Sequence, residues 1–121
     1  MKPDEVLGLA HALAAAPDAG EPAWRAAAAL AQRAVHLLVA AHLGLDPAGF
    51  AGTPRTLAEA LAAVDPSHAP DFIRIARRHF ITGWIAGERA LGRPGEPFGA
   101  RDARLSLAYA DAVFGARAAA N

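Results

Sequence analysis

Apolar residues recur along this chain at intervals of three and four, the period of an amphipathic helix, and they divide it into five segments. The first runs from about Asp4 to Ala16, with Val6, Leu9 and Leu13 as its apolar stripe. Pro3 suits a helix start, and Asp4 and Glu5 suit the positive end of the helix dipole. Pro17-Asp18-Ala19-Gly20 closes it. The second runs from about Pro22 to Leu43. Trp24, Ala28, Ala31, Val35 and Leu38 form one apolar face, and Leu30, Leu37 and Ala41 a second. Only Arg25, Gln32, Arg33 and His36 remain as a polar stripe, which predicts a central helix covered on most sides. Gly44 stands where a left-handed C-terminal cap belongs.

After a loop at 45–52, Thr56 and Glu59 form a capping-box pattern, and Leu57, Leu61 and Val64 supply the stripe of a third helix. Thr53-Pro54 offers an earlier start for it, and Asp65-Pro66 closes it. A fourth helix is predicted over about Pro70–Ile81, with Phe72, Ile73, Ile75, Ala76 and Phe80 turned inward. Residues 82–100 hold five glycines and two prolines, so a long helix is excluded there, although Ile85–Leu91 suits a turn or two. The fifth helix is expected over Asp102–Ala119, with Asp102 as its N-cap. Leu105, Tyr109, Ala112, Val113 and Ala116 form its packed side, flanked by Leu107 and Phe114. No alternating strand pattern appears. The expected architecture is an all-α, antiparallel bundle of about five helices in a single domain over residues 1–121.

Composition narrows the chemistry. The apolar fraction is 54%, much of it alanine, the strongest helix former. The absence of cysteine excludes disulfides, thiolate metal sites and cysteine nucleophiles. Eleven arginines stand against one lysine, which reads as coding bias, so arginine number alone points to no function. The N-terminus lacks the basic and apolar regions of a signal peptide. Gln32, Arg33, His36 and His42 interrupt the nearest approach to a membrane span. A cytoplasmic, membrane-free protein is therefore expected.

Net charge is zero, yet residues 1–69 carry four basic and seven acidic groups while residues 70–104 carry seven arginines and four acids. The neutral total argues against strong non-specific nucleic-acid binding, and the basic segment leaves room for a local anion site. Within it, Arg74, Arg77 and Arg78 stand at i, i+3 and i+4 and share a helix face. That face is either a phosphate or RNA contact or an ordinary exposed surface paired with Asp71 or Glu88. Trp84 is either a stacking platform for a base or a plug over the core. No two histidines stand four apart, and His36 and His42 lie about 240° apart round a helix, so no metal site is expected. Gly92–Pro97 lacks a phosphate-loop lysine, no serine stands in a glycine elbow, and no cofactor is implied.

Three stretches resemble the HEPN family, the higher eukaryotes and prokaryotes nucleotide-binding domain, over about residues 23–118. Trp24–Val35, an aromatic followed by alanines and a Gln-x-Ala step, is similar to the family's long second helix. Arg55-Thr56-Leu57-Ala58-Glu59-Ala60-Leu61 resembles its short third helix, with arginine where the family usually has histidine. Ala103–Arg117 resembles its closing helix. The family's chemical motif is an arginine followed after four to six residues by a histidine, and Arg74–His79 meets that spacing. The resemblance implies a homodimer with RNA or nucleotide as ligand, and a partner protein that is often a minimal nucleotidyltransferase.

Arg74 would hold the phosphate, and His79 would move the proton in a metal-independent ribonuclease of toxin type. Arg77, Arg78 and Trp84 are the matching RNA-contact candidates. Residues five apart on a straight helix point about 140° apart, so Arg74 and His79 converge only at a helix end or across a dimer. Ile75 stands where catalytic members carry a polar residue, which keeps open a second reading, a non-catalytic helical interaction module.

Overall fold

The computed structural model describes residues 2–44, 63–65, 67–78, 89–90 and 97–119. All regular structure among them is helical: α1 (Pro3–Ala15), α2 (Glu21–Leu43), α3 (Asp71–Arg78) and α4 (Ala100–Ala119). The third helix expected from Thr56, all but its last residues, lies outside the described residues, as do His79 and Trp84. Arg89 and Ala90 are helical, within the stretch expected to hold a turn or two.

Local chemistry sets the helix ends. Pro3 occupies the first turn of α1, where its missing N–H costs nothing. Pro22 does the same in α2, and the Trp24 N–H closes that turn on the Gly20 carbonyl at 2.9 Å. Gly44 ends α2 with φ at 70°, and its N–H returns to the carbonyls of Ala40 and Ala41. A side chain at that φ would be strained. The last helix starts two residues before the expected Asp102. Asp102 therefore sits inside the first turn instead of at its N-cap. Its carboxylate accepts the Gly99 N–H at 2.9 Å, the return leg of a capping box.

α2 lies between α1 and α4, and α3 rests on α4. Val35, Val39, Phe72, Ile73, Ala76, Tyr109, Ala110 and Val113 form the main core. A smaller cluster of Ala28, Phe98 and Ala103, with Trp24 against it, closes the opposite end. Trp24 and Ala28 meet Ala103 at one end, whereas His42 and Arg117 both meet Phe72 at the other. α2 and α4 therefore run parallel, while α1 runs antiparallel to α4, with His11 beside Asp111 and Asp4 near Arg117 and Ala118.

The polar stripe expected along α2 is only partly exposed. Gln32 and His36 are buried at 4% and 3% exposure, Arg25 is half-buried, and Arg33 faces water. The periodicity placed all four together because it sorts residues by polarity, whereas neighbours cover α2 on nearly every side. α2 is long and apolar enough to cross a bilayer, yet half of its most apolar stretch is buried inside this protein, as in the core helix of a folded domain.

Candidate functional site

An open cleft of about 480 Å³ lies between α3 and the C-terminal end of α4, lined by Asp71, Arg74, Ile75, Arg78, Ala116 and Ala119. α3 builds one wall by its period. Phe72, Ile73 and Ala76 are buried at 0–1% exposure, which anchors the inner face and leaves Arg74, Arg77 and Arg78 outward. Arg74 and Arg78, one helical turn apart, both reach the cleft. Arg77 is exposed but does not line it. α4 supplies the small side chains of Ala116 and Ala119, which leave room between the helices.

The Arg74 guanidinium donates to the Asp71 carboxylate, one of the two pairings expected from the sequence. Both side chains are more than half exposed, so the pair is worth about 0–1 kcal/mol and is easily exchanged for another anion. Among the described residues, Arg78 makes no ion pair. Behind the cleft, Arg117 lies 5.4 Å from the Phe72 ring centroid, and the His42 ring meets Phe72 edge-on at 4.8 Å. A single buried phenylalanine thus fixes the position of α3 against both α2 and α4.

The site combines two guanidinium groups on a short rigid helix with a carboxylate at one side and an apolar wall. Guanidinium forks suit phosphate and carboxylate oxygens. Of the residues singled out from sequence, the structure brings together Arg74 and Arg78. Sequence reasoning missed the contributions of Ala116 and Ala119, because an alanine on an alanine-rich helix gives no sign of what it faces.

Two other polar groupings were not anticipated. His11 Nε2 and Asp111 Oδ1 meet at 2.7 Å between α1 and α4, both about half exposed. Asp65, Ser67 and His68 form a local turn with the composition of a catalytic triad. However, the Ser67 hydroxyl (3.0 Å) and the Asp65 carboxylate (2.8 Å) both meet the same ring nitrogen, Nδ1 of His68. A hydrolytic relay needs the two partners on opposite nitrogens, so this is a turn motif capping the approach to α3. Hydrogen bonds from His68 and then Ser67 hold the Asp65 carboxyl below its ordinary range. Among the described residues, no three histidine or acidic side chains gather as metal ligands.

Compared with known proteins, the chain matches no family model, no curated protein and no solved structure.

Proposed function

We propose that this helical domain binds RNA or nucleotide phosphate in the cleft between α3 and α4, as a HEPN-like five-helix homodimer. The observation that carries the reading is the placement of Arg74 and Arg78 one turn apart on the wall of one open, partly apolar cleft. Two guanidiniums on a rigid helix hold a phosphate without ordering a long loop. If the domain cleaves RNA, Arg74 neutralises the phosphate and His79, the residue after Arg78, transfers the proton, with the RNA's own 2′-hydroxyl as nucleophile.

The test is incubation of the purified chain with transfer RNA in chelator, beside Arg74→Ala, Arg78→Ala and His79→Ala, with cleavage and retention both measured. Retention lost in the two arginine variants supports the phosphate site. Cleavage lost in Arg74→Ala and His79→Ala adds the ribonuclease activity. Retention unchanged in both arginine variants removes the proposal.

The second reading is a non-catalytic module that docks a partner protein, such as a minimal nucleotidyltransferase. Asp71 favours it, because a cleft with both charge signs also complements protein side chains. Co-purification with such a partner, lost in Arg78→Glu, together with no RNA retention, would establish it.

A further inference from the structure

We propose that the α3–α4 cleft selects a terminal phosphomonoester dianion over an internal phosphodiester, through the joint reach of Arg74 and Arg78. The inference rests on the phosphate-binding reading above and names the kind of phosphate.

Among the described residues, the cleft holds two positive groups and one negative group, Arg74, Arg78 and Asp71. The Asp71 carboxylate already occupies Arg74. A phosphodiester carries one negative charge. At Arg74 it replaces one monoanion with another, so little is gained there. Its two free oxygens also offer fewer acceptor sites to the two guanidinium forks than three would. A terminal monoester, whose second pKa is about 6, carries close to two charges at pH 8 and presents three acceptor oxygens. It can engage Arg74 and Arg78 together, so the gain at Arg78 adds to the exchange at Arg74. Asp71 is easily displaced from Arg74, and it repels a dianion more than a monoanion, so the preference comes from the two guanidiniums.

The rest of the cleft suits what such a phosphate carries. Ile75, Ala116 and Ala119 provide an apolar wall, and about 480 Å³ exceeds the needs of a phosphate alone. No further titratable group on α4 lines the cleft, since its contribution is two alanines. Arg117, between them in sequence, is turned over Phe72. Among the described residues, the charge balance is therefore that of Asp71, Arg74 and Arg78.

The test uses the full chain and a short 2′-O-methyl oligoribonucleotide, which has no 2′-hydroxyl to attack its own backbone. It is prepared unphosphorylated, 5′-phosphorylated and 3′-phosphorylated. Dissociation constants are measured at pH 8 and pH 5 in chelator, with inorganic phosphate as competitor. At pH 8 at least one phosphorylated form should bind about tenfold tighter than the unphosphorylated one, as expected for one added charge-assisted contact. That preference should shrink at pH 5, where the phosphate holds its second proton. Asp71→Asn should tighten all three forms, the phosphorylated ones most, by about threefold or less, within the scale of an exposed ion pair. Thermal melting confirms that this isosteric surface change keeps the fold.

Equal binding of all three oligonucleotides, weakened alike by Arg74→Ala and Arg78→Ala, would leave the phosphate site standing and overturn the selection. A ratio that narrows in Asp71→Asn would overturn the assignment of the selection to Arg74 and Arg78. Binding of none of them, with no effect of inorganic phosphate, would remove the phosphate reading and this inference with it.

Discussion

Two pairs of arginines, at opposite ends of the molecule, show how one side chain serves different ends. Arg25 and Arg89 flank the ring of Phe98, with their guanidinium carbons 5.1 and 6.0 Å from its centroid. Arg25 also binds Glu21 at 2.9 Å and donates to the carbonyl of Arg89 at 3.2 Å. Arg89 binds Asp102 at 2.6 Å and the Pro97 carbonyl at 3.0 Å. These guanidiniums tie the segment before α4 to the start of α2, and their donors are directed into the protein. Arg74 and Arg78 instead stand on a short helix in an open cleft, one held by an exposed carboxylate and the other making no ion pair among the described residues. The difference is one of surroundings. An arginine whose fork is consumed by the fold stabilises it, and one whose fork faces a cleft can receive an anion.

The largest expected effect would come from removing the platform of the first pair. Phe98 is 4% exposed, so Phe98→Ala should destabilise by about 3–5 kcal/mol through lost burial and the cavity left behind. Urea unfolding would register this as a lower midpoint. If the midpoint hardly moves, the stacked arginines are surface decoration and the contrast fails. Arg89→Ala is expected to cost less, about 1–3 kcal/mol, since it leaves Asp102 without its charged partner.

A proton tests the same end and the core between the pairs. Desolvation, and then the nearby Arg33, lower the pKa of buried His36 from 6.5 to about 3. The unfolded chain therefore takes a proton that the folded one refuses. Stability is complete above about pH 6.5 and falls as pH drops toward 3, by up to about 1.4 kcal/mol per pH unit. The Gly99 N–H, outweighing some desolvation, and then Arg89 hold the Asp102 carboxyl below its ordinary range. Its contribution is present above the ordinary carboxylate pKa and is lost as pH falls through the lowered value. Denaturation at pH 7.5, 6 and 5 should show the histidine effect first. A His36→Gln variant should flatten that dependence, and an equally steep slope in the variant would reassign it to another group.

Much of the architecture was readable because helix ends carry their own chemistry. Pro3, Pro22 and Gly44 mark ends of α1 and α2 that the structure places within a residue or so of expectation. Asp102 misled by two residues because an acid in a first turn looks the same in sequence whether it caps from outside or reaches back from within. Gln32 and His36 group with Arg25 and Arg33 in one polar stripe because polarity is visible in sequence, whereas the cover of neighbouring helices that buries them is not. For the site, the spacing of Arg74 and Arg78 was enough to pair them. Their alanine wall on α4 was not legible, and neither was the Arg25–Arg89 contact, which joins residues 64 apart in sequence. An aromatic at Phe98 between Pro97 and Gly99, in a stretch otherwise poor in core residues, was the one available sign of that second contact.

The smallest stability effect belongs to the cleft, and there the contrast is sharpest. Arg74→Ala and Arg78→Ala remove exposed side chains whose one ion pair among the described residues is the Arg74–Asp71 contact. Each should shift unfolding by no more than about 0.5 kcal/mol. The same substitutions should cost about tenfold or more in affinity for a phosphorylated oligonucleotide, because each removes a charge-assisted contact to the ligand. A stability loss matching that of Arg89→Ala would mean that the cleft arginines also hold the fold, and any binding defect would then follow from loosening of α3. A near-silent melt with a clear binding loss separates the two uses of arginine in this chain, because no structural role then remains to explain the loss.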